Sequence, residues 1–257
     1  MPQPKSARLW WLDALRGAAL LNMLGYHAMY DWVYVFGRPA AWYSITAPGC
    51  HLWQQYICWS FLLIAGFSFS LSRRPLKNGL ATAGCAALLT LVTVAVMPSE
   101  RIWFGILHLM ACALLLSCLL RPALEKIPPA AGLAVFAGLF LLTDQLPLGY
   151  LGFEGLRLAA LPPALYRANW FWLGFQDIGH FYSADYFPLV PWLFLFWCGY
   201  FLYRLAAPRL AARPCRPAPA ALRPLCALGS RTLLLYMLHQ PVLYGALWLA
   251  NRLLPAL

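Results

Sequence analysis

The composition of this chain is that of an all-α, polytopic membrane helical bundle with about seven transmembrane helices, and three features carry that expectation. Of the 257 residues, 62% are hydrophobic and 11% charged, whereas a soluble domain carries roughly 25% charged residues. Several runs of about 18 residues or more are nearly free of charge, the length that crosses a hydrocarbon core roughly 30 Å thick. The basic residues, finally, collect in alternate connections.

The first span is expected at 9–36. It is too long, and too closely tied to an internal Asp and Arg, to be a signal peptide's apolar region, so it is read as mature structure. Further spans are expected at 50–72, 77–97, 102–120, 129–146, 187–206 and 226–251, all within a single domain over 1–257. The breaks between them carry turn and stop signals: Gly37-Arg38-Pro39, Arg73-Arg74-Pro75, Pro98, Arg121-Pro122, Pro128-Pro129 and the Pro/Arg-rich stretch from Pro208 to Pro224.

With the N-terminus cytoplasmic, that face receives Lys5, Arg8, Arg73, Arg74, Lys77, Arg121, Lys126, Arg204, Arg209, Arg213, Arg216, Arg223 and Arg231. The opposite face receives Arg38, Arg101, Arg157, Arg167 and Arg252. The bias fits an odd number of spans with the C-terminus outside. It also accounts for the net charge of +11 without a nucleic-acid partner. The one long connection, from about Pro147 to Tyr186, is rich in aromatics and is expected to lie against the membrane interface as a lid or substrate platform.

Ionisable groups inside a span cost about 2.5–3.5 kcal/mol each on insertion scales, so they need partners, water or a task. In the first span Asp13, Arg16, Leu20, Leu24, His27 and Asp31 follow one another at steps of three or four and share one helix face. Asp13 and Arg16 form one pair, and His27 with Asp31 another roughly 20 Å further out at 1.5 Å per residue. In the second span His51, Gln54, Gln55 and Cys58 make a similar stripe. Such stripes line a conduit or pack helices together.

The remaining histidines are His108, His180 and His239. Four of the five fall in the outer half or beyond, His239 near mid-membrane, and none on the basic face. Imidazole suits proton removal from an attacking amine or hydroxyl. H-x-x-x-H spacing is absent, so no metal is expected. The eight cysteines are scattered without a C-x-x-C pair and read as small apolar side chains.

Arg8 to Gly17 reads R-L-W-W-L-D-A-L-R-G. It resembles the R-x-x-x-x-D-x-x-R-G opening of the heparan-alpha-glucosaminide N-acetyltransferase catalytic family, most closely its short bacterial branch. Further matches follow in order: His27 to Asp31 (H-A-M-Y-D), Phe61 to Ser68 ending in A-G-F-S, Phe104 to His108 (F-G-I-L-H), Asp185 to Trp192 (D-Y-F-P-L-V-P-W) and Gly229 to Pro241. The resemblance implies a multi-pass enzyme of the bacterial inner membrane. Acetyl-CoA would be the cytosolic donor, and an amine or hydroxyl of a sugar or glycan on the far side the acceptor.

On that reading Asp13, Arg16, Arg73, Arg74 and Lys77, with Arg8, hold the coenzyme. His27 is the base with Asp31 orienting it, and His51 is an alternative base or acetyl carrier. His108, His180, Asp185 and His239 contact the acceptor. Counting from the shared Arg-Gly, His27 stands where the lysosomal member of that family has an asparagine. A sugar or lipid transporter, and a subunit whose stripes only pack helices, are the rival readings. Gly17, Gly66 and Gly199 allow close helix packing and leave a homo-oligomer open.

Overall fold

Proline and glycine set many of the helix limits. α1 (Trp10–Tyr30) is followed by α2 (Pro48–Phe69), α3 (Pro75–Val96), α4 (Ile106–Lys126), α5 (Pro129–Thr143), α6 (Leu189–Ala211), α7 (Arg223–Gly229) and α8 (Thr232–Leu253). α2, α3 and α5 each open on a proline, whose missing N–H would have had no partner in a first turn. The structure is a computed structural model and describes residues 9–177, 179–212 and 217–253.

Among the described residues five helices are long and apolar enough to cross a membrane: Pro75–Val96, Ile106–Lys126, Pro129–Leu148, Leu189–Ala211 and Thr232–Leu253. They match the expected third to seventh spans. α1 and α2 are as long, but Asp13, Arg16, Asn22 and His27 in one, and His51, Gln54 and Gln55 in the other, dilute their apolar content.

The structure departs from the expectation in three places. The bundle is not purely α. Within the long connection, β1 (Tyr150–Phe153) and β2 (Leu156–Ala160) pair as an antiparallel hairpin. The cause is the two-residue turn Glu154-Gly155, with φ of 45° and 86°, the left-handed pair that matches strand twist. The expected span at 226–251 is broken into α7 and α8 at Ser230-Arg231, where the Ser230 and Thr232 hydroxyls donate back to the carbonyls of Ala227 and Gly229. The first span ends in a π-helical turn over Asp31–Val35.

The chain divides into two compact units, Met1–Ile64 with Arg213–Leu257 and Ala65–Ala212, the division falling within α2. In the first unit α1 packs chiefly on α7 and also on α8. The α1–α7 crossing is a backbone contact: a Cβ on Gly229 would lie 1.8 Å from the Asp13 carbonyl oxygen, and one on Gly17 would lie 2.1 Å from that of Leu225. Small residues that let helices touch are the usual device where lipid removes the hydrophobic drive. Leu20, Met23 and Ile57 form its buried core, with Trp53, Phe61 and Leu235 around them.

In the second unit α3 packs on α4 and α5 on α6. Its core is aromatic, built on Phe196 and Phe201 of α6 with Phe69, Trp197 and Tyr200. The Trp197 indole N–H donates to Ser117 at 2.9 Å. Arg204 donates to the carbonyls of Leu124 and Ile127, closing the C-terminal end of α4.

Candidate active site

The first unit turns polarity inward. α8 is apolar and open to its surroundings at Leu234, Leu238, Val242 and Trp248, and its one buried residue is His239. A helix dressed this way belongs in lipid, with its polar groups facing protein. His239 lies with its ring 4.8 Å from that of His27 on α1, edge to face. Next to it, the Gln240 amide donates to Asp31 Oδ1 at 3.0 Å, and Asp31 is 1% exposed.

The hydrogen-bond pattern fixes the state of His239. Its Nδ1 meets the carbonyl oxygen of Tyr236, three residues back on the same helix. A carbonyl can only accept, so Nδ1 carries the hydrogen, and in the neutral ring Nε2 presents a lone pair. That Nε2 atom is buried and has no partner in the protein. Among the described residues two other buried side-chain atoms share this condition, Asp31 Oδ2 and Gln240 Oε1. All three belong to one cluster. Each such atom costs about 1–3 kcal/mol when buried without a partner, and all three can accept a hydrogen. A group bearing N–H or O–H donors fits all three acceptors.

His27 and Asp31 are thus brought together with His239. The sequence reading gave His239 a part in acceptor binding, and in the structure its ring lies against that of His27. Gln240 and Tyr236 were not singled out. The signal for Gln240 was available, since an amide inside an otherwise apolar span carries the same cost argument as a histidine.

His51 lies half-buried in the first turns of α2, in the same unit. Asp13 and Arg16 form an ion pair at 2.7 Å, the carboxylate buried and the guanidinium partly exposed. Arg8 lies outside the described residues.

In the second unit Arg73, Arg74 and Lys77 are exposed around the start of α3. His108 and Asp185 both bond to the backbone at the start of α4. His108 Nδ1 accepts from the Gly105 N–H and Nε2 faces the Thr90 hydroxyl at 3.0 Å. One Asp185 oxygen accepts from the Ile106 N–H at 2.9 Å. Burial pushes the Asp185 carboxyl up to about 6, against the pull of that hydrogen bond. The F-G-I-L-H and D-Y-F-P stretches are bridged here, Phe104 with Tyr186, and the Phe187 N–H donates to the Phe104 carbonyl at 2.9 Å. His180 is exposed and pairs with Asp177 at 2.9 Å, which holds that carboxyl below the usual carboxylate range. Among the described residues no group of three His, Cys, Asp or Glu is placed to hold a metal ion.

The family model described as heparan-alpha-glucosaminide N-acetyltransferase, catalytic, matches residues 8–241. The chain belongs to the heparan-alpha-glucosaminide N-acetyltransferase catalytic family. The match begins at Arg8 and closes just beyond Gln240, so it takes in both halves of the α1–α8 cluster. No curated protein and no solved structure matches the chain. Family membership and five apolar helices of spanning length together indicate an integral membrane acetyltransferase.

Proposed function

We propose that the chain transfers the acetyl group of cytosolic acetyl-CoA to an amine or hydroxyl of a sugar or glycan on the far side of a bacterial inner membrane, with His239 as the base. The observation that carries this reading is the fixed tautomer of His239: its Nδ1–H is held by the Tyr236 carbonyl, and its Nε2 is buried and open. Nε2 takes the proton from the acceptor as the acceptor's nitrogen or oxygen attacks the thioester carbon. The new C–N or C–O bond forms, the C–S bond breaks, and the imidazolium returns its proton to the departing thiolate.

His27 lies against the His239 ring. Asp31 and Gln240 offer acceptor atoms to the other hydrogens of the incoming group, which orients it for attack. In the second unit Arg73, Arg74 and Lys77 are proposed contacts for the coenzyme's phosphates, and in the first unit Arg16 with its partner Asp13 is another candidate. His51 remains the proposed alternative imidazole. We assign His108 and Asp185 to shaping the start of α4, and His180 to the exposed surface.

The test is acetyl transfer from labelled acetyl-CoA to a mixture of amino sugars and neutral sugars, by purified protein in liposomes. His239→Ala should lower turnover by about 10²–10⁴, the usual contribution of a positioned base, with the melting temperature retained. Turnover within a few-fold of the parent would remove His239 from the reaction. Sugar flux into the liposomes without any coenzyme would favour a transporter instead.

A further inference from the structure

The hairpin in the long connection displays its apolar side chains openly. Every residue of β2 is exposed, Leu156 at 65% and Leu158 at 62%. Side chains two apart on a strand share a face, so these leucines form one apolar face. Arg157 points the other way, its guanidinium 4.1 Å above the Tyr150 ring. The hairpin is therefore amphipathic across its own thickness.

Its place is fixed as well. The apolar stretch Pro129–Leu148 is long enough to cross a membrane, and β1 starts directly after it at Tyr150. Phe153 packs edge to face on Phe140 in the closing turns of α5, at 6.2 Å. Asp144 ties the two together, accepting from the Gln145 amide at 2.9 Å and from the Glu154 backbone N–H at 3.2 Å. The Gln145 N–H donates in turn to the Gly152 carbonyl. A hairpin bolted to the end of a membrane span in this way sits at the bilayer boundary, and α5 carries its own exposed Leu141 and Leu142 up to that point.

We infer that Leu156 and Leu158 insert into the acyl chains at the leaflet where α5 ends, so that the hairpin lies flat in the interface with its Arg157–Tyr150 face toward water. Such an arrangement is what a short amphipathic element with one apolar face adopts at a headgroup boundary. The turn Glu154-Gly155 then lies along the surface.

Site-specific photocross-linking of the full chain in phospholipid nanodiscs tests this. Leu156→p-benzoylphenylalanine and Leu158→p-benzoylphenylalanine should each give phospholipid adducts by mass spectrometry, at several times the yield of the same replacement at Arg157. The reference is the same replacement at Leu119 of α4, 73% exposed on a spanning helix. Strong lipid adducts at Leu119 with none at Leu156 or Leu158 would overturn the inference. So would adducts to a second copy of the chain.

Discussion

His108 and His239 lie on apolar helices in different units, and they use the same side chain in opposite ways. Around His108 every hydrogen is spoken for: the Gly105 N–H enters Nδ1, so the ring hydrogen is on Nε2 and goes to the Thr90 oxygen, and the Thr90 hydroxyl passes its own to the Ile102 carbonyl at 2.7 Å. Around His239 the chain stops after one bond. Asp185 gives one oxygen to the backbone at the start of α4, and Asp31 gives one to Gln240 and keeps the other buried without a partner in the protein. A closed circuit of polar groups buys a fixed backbone. An open one carries its desolvation cost unanswered inside the protein, and in the proposed reaction the acceptor meets it.

If this contrast is real, two alanine variants should fail in opposite assays. His239→Ala should show the large loss of turnover described above and melt near the parent temperature. His108→Ala should lose about 2–4 kcal/mol of stability, since the Gly105 N–H and the Thr90 oxygen each lose a buried partner, while the folded fraction keeps most of its turnover. Thermal melting in detergent beside the transfer assay gives both readings. Equal loss of stability in the two variants would erase the distinction between the units.

Much of the fold was legible in the residues, because hydropathy and proline punctuation are local signals. The third to seventh spans agree with α3, α4, α5, α6 and α8 at their cores, and five of those helices meet the length and apolarity a span needs. The hairpin and the break at Ser230-Arg231 were missed because each depends on a few residues inside an apolar background: Glu154-Gly155 in one case, two back-bonded hydroxyls in the other. The shared face of Asp13, Leu20, His27 and Asp31 followed from helical periodicity. What periodicity could not supply was the partner. Pairing α1 with α8 joins residues more than 200 positions apart, and only the packing shows that His239 and Gln240 complete the group that His27 and Asp31 begin.

A smaller effect sharpens the comparison from within the open cluster. Asp31→Asn keeps the size of the side chain and an oxygen for the Gln240 amide, but replaces the second carboxylate oxygen by a donor. It should lower turnover roughly tenfold, the scale of one charge-assisted hydrogen bond, with little change in melting. An unchanged rate would mean that Asp31 only holds Gln240 in place and does not meet the acceptor.

The smallest expected effect lies in the closed cluster and reads out as a slope. Asp185 titrates at about 6, above the ordinary carboxylate near 3.8, because burial disfavours its charge. The folded protein therefore holds this proton more tightly than the unfolded chain does. Its contribution to stability is complete below the unfolded value and declines as pH rises from about 4 to 6, after which it levels off. Asp177 works in the opposite sense and lower down, since the His180 hydrogen bond depresses it, so its contribution is lost only as pH falls below the ordinary carboxylate range. Buried groups elsewhere also titrate between about 4 and 6, so Asp185 is read as the difference between the parent and Asp185→Asn. Across that window the melting temperature of the parent should fall by a few degrees relative to that of Asp185→Asn. Asp185→Asn still offers an oxygen to the Ile106 N–H but has no carboxyl to titrate. Parallel curves for the two proteins would mean that the carboxylate at the start of α4 is open to water, and the closed circuit around His108 would then need another boundary.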